Sequence, residues 1–145
     1  MKYTLSKGLT NSPDARLIRQ SVFVEEQGFE YEFDDIDETA LHLVLYDEND
    51  NPCATGRLFF DDCMKIGRIA VMKEYRGQSL GSEVIVILEE KALEYILRGL
   101  KIQGVRKVVL LIDGANENTK QLCLSLGFHF IGKQDKTGYY YEAAL

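Results

Sequence analysis

Hydrophobic residues recur along this chain with two different periods, and these periods separate predicted strands from predicted helices. Short runs rich in β-branched and aromatic residues predict strands at residues 3–5, 41–46, 54–60, 65–71, 105–112, 128–131 and 139–143. Apolar residues spaced by three and four positions predict one helix that starts at Pro13 and another from Ser82 to Arg98, and a further helix is predicted at 116–126. The pattern is therefore that of a mixed α and β protein.

The stretch from Lys65 to Ser82 organises the rest of the chain. Its apolar strand pattern ends at Val71 and is followed by a turn that contains Arg76 and two glycines, after which the long helix begins. The first amides of a helix have no partner inside the helix, and the aligned peptide dipoles add a partial positive charge there. Small residues leave these amides accessible, so the turn is predicted to bind an anion such as a phosphate group.

Composition narrows the classes of function. The chain has 145 residues, of which 46% are hydrophobic, and we expect a single domain over residues 1–145. A formal charge of -6 and a pI near 5.0 argue against a nucleic-acid binder, because phosphate contacts require a basic surface. The cysteines lack metal-binding spacing, so neither a disulfide framework nor a metal site is expected. No segment has the apolar length of a membrane span or the core of a signal peptide, and we expect a cytoplasmic protein.

Two segments resemble motifs of the GNAT superfamily of acetyl-CoA-dependent N-acyltransferases. In the cofactor-binding motif Arg76 takes the first position and Gly81 the last, whereas Ser79 stands where the middle glycine usually lies. A serine can adopt helical angles there and keeps its amide, so the hydrogen-bond donors of the motif are retained. The predicted helix that ends in Leu126-Gly127-Phe128 resembles a second motif, and the runs at 22–28, 34–37, 41–44 and 55–58 resemble the small bacterial ElaA-like branch.

The resemblance implies a fold and an activity. The expected fold is α+β, a GNAT-type three-layer fold with a central mixed, mostly antiparallel sheet of roughly six to seven strands, splayed near the fourth strand, and about four helices. The expected activity is transfer of an acetyl group from acetyl-CoA to a primary amine of a small molecule or peptide, by direct attack in a ternary complex. The expected partners are acetyl-CoA and this acceptor, without nucleic acid, membrane or metal, and a homodimer is considered as well.

The same resemblance assigns a cofactor site. Pantetheine would hydrogen-bond to the backbone of Ile69 and Val71, and the amides from Gly77 to Ser82 would hold the pyrophosphate. Asn116 matches a residue that contacts the pantetheine arm, and a helix cap is its alternative role. The full set of expected cofactor-binding residues is Ile69, Ala70, Val71, Arg76, Gly77, Gln78, Ser79, Leu80, Gly81, Ser82 and Asn116.

Amide formation from a thioester adds three chemical tasks: the amine must lose a proton, the oxyanion must be stabilised and the departing thiolate must be protonated. The backbone amide of Val71 is the expected oxyanion donor. For the thiolate the candidates are water, Tyr139 or one of the two tyrosines after it, and Cys123, which stands where the family usually has a tyrosine. For the amine the candidate bases are Glu26, His42 and a chain of water molecules.

An acidic segment from Glu25 to Glu38, with aromatic residues interleaved, has two interpretations. It could form the wall of a pocket for a cationic amine, through its charge and its aromatic faces. Alternatively, it is a solvated loop whose aromatic side chains pack into the core. Arg57 is expected to form an ion pair with this segment, and His42 is expected to be a packed, hydrogen-bonded residue.

Two other classes of function remain open at this point. The departures at Ser79 and Cys123 are also compatible with an acyl-CoA-binding module that has no turnover. A structural or partner-binding domain would bind no CoA at all.

Overall fold

The computed structural model describes residues 1–30, 32–61, 64–98, 107–113, 124, 127–133 and 138–144. The strands are β1 (Lys2–Lys7), β2 (Leu41–Tyr46), β3 (Pro52–Phe60), β4 (Met64–Val71), β5 (Lys107–Asp113), β6 (His129–Lys133) and β7 (Gly138–Ala144). The helices are α1 (Pro13–Arg19), which continues as a π-helix (Gln20–Glu26), and α2 (Leu80–Arg98), with short 3-10 turns at Leu9–Asn11, Asp35–Glu38 and Lys73–Tyr75.

The strands form one seven-stranded sheet in the order β1-β2-β3-β4-β5-β7-β6. Every neighbouring pair is antiparallel except β4 and β5, which run parallel. The mixed, mostly antiparallel sheet that the resemblance implied is therefore confirmed. The described residues contain two α-helices rather than about four.

One predicted helix falls largely outside the described residues. Of the segment 116–126 only Leu124 is described, and it is helical. Gly127, which was predicted to end this helix, has a left-handed φ of 92° and its amide donates to the Leu124 carbonyl at 3.1 Å. A left-handed glycine that closes onto a preceding carbonyl is a common helix C-terminus, so the predicted end is confirmed.

The two α-helices lie on opposite faces of the sheet. Along β2 the side chain of Val44 packs with the α1 cluster, whereas its neighbours Leu43 and Leu45 pack with α2, as the alternation of a strand requires. The α1 face is formed by Leu9, Ala15, Ile18, Val22, Phe23, Val44 and Ala70. The α2 face includes Leu43, Leu45, Leu58, Ile66, Val84, Ile85, Leu88 and Ala92. The sheet is thus the middle of three layers.

Helix α1 widens into the π-helix instead of stopping. The Gln27 amide donates to the Val22 carbonyl at 3.1 Å and the Phe29 amide donates to the Phe23 carbonyl at 2.9 Å. Gly28 then takes a φ of 76° and ends the helical path, close to where the sequence predicted the end. This widened turn places Glu26 at the edge of the layer formed by α1.

A β-bulge interrupts the pairing of β3 with β4. Thr55 pairs with Ala70 and Arg57 with Gly67, so two residues of β4, Arg68 and Ile69, lie opposite the single residue Gly56. Arg68 has a left-handed φ of 51°. An extra residue of this kind bends its strand and increases the local twist.

On its other side β4 is paired with β5 only at its beginning. The register joins Met64, Lys65 and Ile66 to residues 108–110. The rest of β4, from Gly67 to Val71, lies beyond this pairing. The strand therefore leaves its parallel neighbour just where the bulge bends it.

Gly56 should be sensitive to any added side chain. An alanine Cβ at this position would lie 2.6 Å from Val84 Cγ1 and 3.0 Å from Leu88 Cδ1, both on α2. We expect Gly56→Ala to lower the free energy of unfolding in urea by about 1–3 kcal/mol, because an overpacked core must shift. Gly132→Ala is the matched control, since its Cβ meets nothing within 4 Å. Equal losses from both variants would contradict the close approach of α2 to β3.

Candidate active site

The turn between β4 and α2 contains a series of backbone amides without a protein partner among the described residues, and one residue within it, Leu80, is buried. The amides from Gly77 to Ser82 have no protein acceptor within the part of the chain that the structure describes. Residues 77–79 are exposed, and Gly81 and Ser82 are half-buried at the start of the helix. Free amides at the positive end of a 19-residue helix form an anion-binding surface.

Ser79 adopts a left-handed conformation, although a serine can also adopt helical angles. Its φ is 62°, in the left-handed region, and its carbonyl accepts the Glu83 amide at 3.2 Å. Gly77, two residues earlier, is also left-handed with a φ of 84°. Left-handed backbone favours glycine, which explains why a glycine would suit the position of Ser79. The serine nevertheless keeps its amide free, as expected.

The end of β4 has one edge that is paired and one that is open. The Met72 amide donates to the Cys53 carbonyl at 2.8 Å, so it faces β3. Because successive amides along a strand alternate in direction, the Val71 amide faces away from β3. This is the side on which β5 no longer pairs with β4. The backbone at Val71 therefore lines an open edge next to the free amides.

Arg76 is held by a carboxylate from another part of the chain. Its Nη1 and Nη2 donate to the two oxygens of Glu26 at 2.5 and 2.6 Å, and its Nε donates to the Val71 carbonyl at 3.2 Å. The hydrogen bonds from Arg76 lower the pKa of Glu26 and raise the pKa of Arg76. Two residues expected to have separate roles, Glu26 as a base and Arg76 at the phosphates, are thus paired with each other.

Buried arginines hold the part of the acidic segment from Glu32 to Asp37 in place. The Arg19 side chain is 1% exposed and donates to Glu32 Oε1 at 2.9 Å and to Asp37 Oδ1 at 2.7 Å. Arg57 donates to Asp37 Oδ1 at 2.8 Å and to Asp34 Oδ1 at 2.7 Å. The expected ion pair between Arg57 and this segment is confirmed.

The bulge in β4 joins the same network. Arg68 Nε lies 3.1 Å from Glu32 Oε1, and Arg68 Nη2 lies 3.5 Å from Asp34 Oδ2. Burial raises the pKa of Glu32 against the attraction of the arginines. We refer below to Arg19, Arg57, Arg68, Glu32, Asp34 and Asp37 together as the arginine network.

The network supports the structural interpretation of the acidic segment over much of its length. The Phe33 ring has the guanidinium carbon of Arg16 4.5 Å from its centroid and that of Arg19 at 4.9 Å, so this aromatic residue packs inward. Phe29, by contrast, is 41% exposed. The carboxylates that stay outside the network are exposed: Glu25, Glu26, Glu30, Asp35 and Glu38.

His42 is a packed residue, as its position on a strand predicted. It is fully buried, and its Nε2 lies 2.9 Å from the Asp37 carbonyl. Burial lowers the pKa of this imidazole, so the ring is neutral at pH 7 and Nε2–H donates to the carbonyl. A side chain without exposed surface does not reach an amine substrate.

The structure describes some of the remaining predicted site residues and not others. Asn116 and Cys123 are outside the described residues. Tyr139 is in β7, where its backbone pairs with Ile112 of β5 and Lys133 of β6. Tyr141 is 3% exposed and belongs to the α2-face core. Ile69, Ala70, Gln78 and Leu80 lie along β4 and the turn as expected.

Sequence reasoning missed Arg19 and Arg68 as partners of the acidic segment and missed the pairing of Arg76 with Glu26. The excess of carboxylates between residues 25 and 38 is a signal from which further cationic partners besides Arg57 could have been sought. Which arginines these are depends on the bulge and on the π-helix, and neither feature has a sequence signal.

Two negative findings concern the described residues alone. Within the described ranges, no helix combines the length and the apolar character required to cross a membrane. In that same part of the chain, no group of three or more His, Cys, Asp and Glu side chains is arranged to hold a metal ion.

Comparison with known proteins places this chain in a family. The model of the acetyltransferase (GNAT) family matches residues 12–128. Among curated proteins of Bacillus subtilis, YyaT is 36% identical over 63% of this chain, and the N-acetyltransferase named YjcF is 33% identical over 65%. The matches span 65% of YyaT and 69% of YjcF. The chain therefore belongs to the GNAT acetyltransferase family, whose members use acyl-CoA.

Solved structures show the same fold. A candidate N-acetyltransferase from Lactobacillus plantarum has a TM-score of 0.77 at 27% identity and covers 99% of this chain, which in turn covers 97% of it. Escherichia coli ElaA has a TM-score of 0.77 at 19% identity, with 98% of each chain covered. A phosphinothricin acetyltransferase from Sinorhizobium meliloti, solved with AcCoA, has a TM-score of 0.67 at 16% identity over 100% of this chain and 89% of its own.

The arginine network should make the free energy of unfolding depend on pH in the acidic range. Burial opposes ionisation of Asp37, but hydrogen bonds from Arg19, the Asp34 amide and Arg57 outweigh it and lower the pKa to about 2. A carboxyl with a lowered pKa in the folded state stabilises the protein above its unfolded pKa of about 4, and this contribution is lost as pH falls toward 2. We expect Asp37→Asn to remove this acid-dependent part and to destabilise the protein at pH 7 by about 3 kcal/mol, because two buried guanidinium groups lose an anion.

The measurement is the free energy of unfolding in urea from pH 2 to pH 7. Asp35→Asn is the matched control, because Asp35 lies in the same short turn but is exposed. A surface change of this kind should stay within about 0.5 kcal/mol of the wild type. Parallel curves for the wild type and Asp37→Asn would show that Asp37 does not carry the acid dependence.

Proposed function

We propose that this chain is an N-acetyltransferase that moves an acetyl group from acetyl-CoA to a primary amine of a small molecule or peptide, by direct attack in a ternary complex. We further propose that residues 1–145 form a single acetyltransferase domain that acts in the cytoplasm. The observation that carries the proposal is the series of free amides from Gly77 to Ser82 directly after the open edge of β4. Because members of the GNAT family use acyl-CoA, the phosphate groups of that cofactor are the anions that these amides would bind.

The residues of the turn suit a cofactor with several phosphate groups. Six consecutive amides without a protein acceptor in the described ranges are offered by residues 77–82, and Arg76 adds a guanidinium beside them. A Cβ built on Gly81 would meet Val71 Cγ2 at 3.8 Å and Ile69 Cγ2 at 3.9 Å, which are ordinary van der Waals distances, so the start of α2 tolerates a small side chain there. When bound, acetyl-CoA would supply the thioester whose acetyl group passes to the amine.

The backbone of β4 would hold the pantetheine arm. In our proposal Ile69, Ala70 and Val71 line the opening between β4 and β5, which is the splay implied by the family resemblance. Support comes from the short register between these strands and from the direction of the Val71 amide. Asn116 would contact the same arm from the chain that follows β5.

The Val71 amide would donate to the carbonyl oxygen of the thioester as that oxygen gains negative charge. The peptide is fixed by the antiparallel pairing of Val71 with Ala54 and by the following bond from Met72 to Cys53. A donor that is already oriented needs no reorganisation during the reaction. Such donors commonly lower a barrier by about 3 kcal/mol.

Proton transfer would involve water at both ends of the reaction. For the amine, Glu26 and a chain of water molecules are the remaining bases, because His42 is fully buried. For the thiolate we rank water first, Tyr139 or Tyr140 second and Cys123 third, and Tyr141 is left out because it is buried in the α2-face core. Thiolates leave without strong assistance since a thiol is already a fairly acidic group.

A non-catalytic acyl-CoA-binding module is the second candidate. Ser79 favours it, because a left-handed serine replaces the glycine that this position of the turn suits. Such a module would bind acetyl-CoA and release no thiol.

The proposed activity predicts both binding and turnover. Titration calorimetry with acetyl-CoA should show one site, and a panel of primary amines should then produce free thiol at a rate that depends on the amine. Binding without thiol release for every amine would favour the module. Absence of binding would remove both candidates.

The phosphate assignment predicts the effect of charge at the start of α2. Gly81→Asp should reduce affinity for acetyl-CoA at least tenfold, since the added carboxylate is bulky and repels phosphate. The fold should survive, because aspartate in the first turn suits the helix dipole.

Gly81→Asn is the matched control, as it adds nearly the same bulk without the charge. Its affinity should lie between those of the wild type and Gly81→Asp. Calorimetry that gives the wild-type affinity for Gly81→Asp would refute the assignment of phosphates to this turn.

A further inference from the structure

The ion pair between Glu26 and Arg76 joins two regions that belong to different parts of the proposed site. Glu26 ends the π-helix on the side of the acidic segment, and Arg76 opens the turn of free amides. Both oxygens of the carboxylate are used, at 2.5 and 2.6 Å, and the third bond of the guanidinium goes to the Val71 carbonyl at 3.2 Å. The pair therefore sits where β4, the turn and the acidic segment meet.

The environment of this pair differs from that of the arginine network. The side chains of Arg76 and Glu26 are 41% and 37% exposed, whereas those of Arg19 and Asp37 are 1% and 2% exposed. A buried pair cannot be opened without leaving a charge in a medium of low polarity. A half-exposed pair is screened by water and can exchange one anion for another.

A phosphate group is a suitable competitor for Glu26. Arginine binds carboxylate and phosphate oxygens with the same two-pronged geometry. The six amides of residues 77–82 lie next along the chain and would hold a phosphate but are not engaged by Glu26. Lys73 and Glu74, the other charged residues of this turn, influence Glu26 and Arg76 through their charges only.

We propose that Glu26 is an internal competitor of the cofactor: it occupies Arg76 in the free protein, and the phosphate groups of acetyl-CoA displace it. This inference rests on the proposed function. In the exchange one arginine changes partner, from a carboxylate of its own chain to a phosphate of the cofactor.

A double-mutant cycle tests the exchange, with CoA as the probe and calorimetry as the measurement. Glu26→Gln should bind CoA about threefold to tenfold more tightly than the wild type, because a competing charge is gone. In the background of Arg76→Gln, adding Glu26→Gln should change the affinity less than about twofold, since no pair remains to be broken.

Glu25→Gln is the matched control for the loss of one negative charge. Glu25 is the preceding residue and is also exposed, but it forms no ion pair within the described ranges. Its affinity for CoA should equal that of the wild type. The exchange is wrong if Glu25→Gln tightens CoA binding as much as Glu26→Gln does, because the loss of any negative charge would then explain the result. It is also wrong if Glu26→Gln has the same effect on affinity with and without Arg76.

A spectroscopic measurement gives an independent answer. The side-chain carboxyl carbon of Glu26 can be followed by carbon-13 NMR as a function of pH. Since Arg76 holds the pKa of Glu26 below its ordinary value, saturation with CoA should raise that pKa. An unchanged pKa in protein that binds CoA would overturn the exchange and leave the proposed function intact, whereas absence of CoA binding would reject the proposed function itself.

Discussion

The buried guanidinium groups of Arg19 and Arg57 set the main constraint on this structure. A charged group that is removed from water is strongly destabilising unless anions and hydrogen-bond acceptors surround it. The acidic segment provides these partners, with Asp37 shared between the two arginines at 2.7 and 2.8 Å. The segment is therefore fixed on the α1 face of the sheet, although much of its composition is typical of a solvated loop.

Arg68 links the acidic segment to β4, the strand that leads to the candidate site. It is the left-handed residue of the bulge in β4, and its side chain joins the arginine network through Glu32 and Asp34. The bulge bends β4 near the point where its pairing with β5 ends. The same residue thus belongs both to the anchored acidic segment and to the strand whose open edge precedes the free amides.

The site combines two kinds of ion pair with different properties. Pairs within the arginine network are largely buried, so their geometry is a fixed part of the fold. The pair of Glu26 with Arg76 is half-exposed, so an anion from solution can compete with it. A rigid frame with one exchangeable contact suits the proposed binding of a highly charged cofactor next to Arg76.

The sequence by itself determined the elements and the location of the turn. Strand and helix periods predicted β2, β3, β4 and α2 because those patterns depend on which residues can be buried on one face. The order of Arg76, the glycine and the helix start predicted an anion site because free amides at a helix start are a local property.

Only the tertiary structure decided which charges meet. The pairing of Arg76 with Glu26 joins residues 50 positions apart, and the left-handed angles of Arg68 and Ser79 follow from how β4 and α2 are placed. Ion pairs between residues so far apart in the chain depend on how the elements pack. A sequence gives the charge of each side chain but not the side chain with which it pairs. The sequence therefore predicts where an anion can bind, and the fold determines that the Glu26 carboxylate is the one paired with Arg76 beside that site.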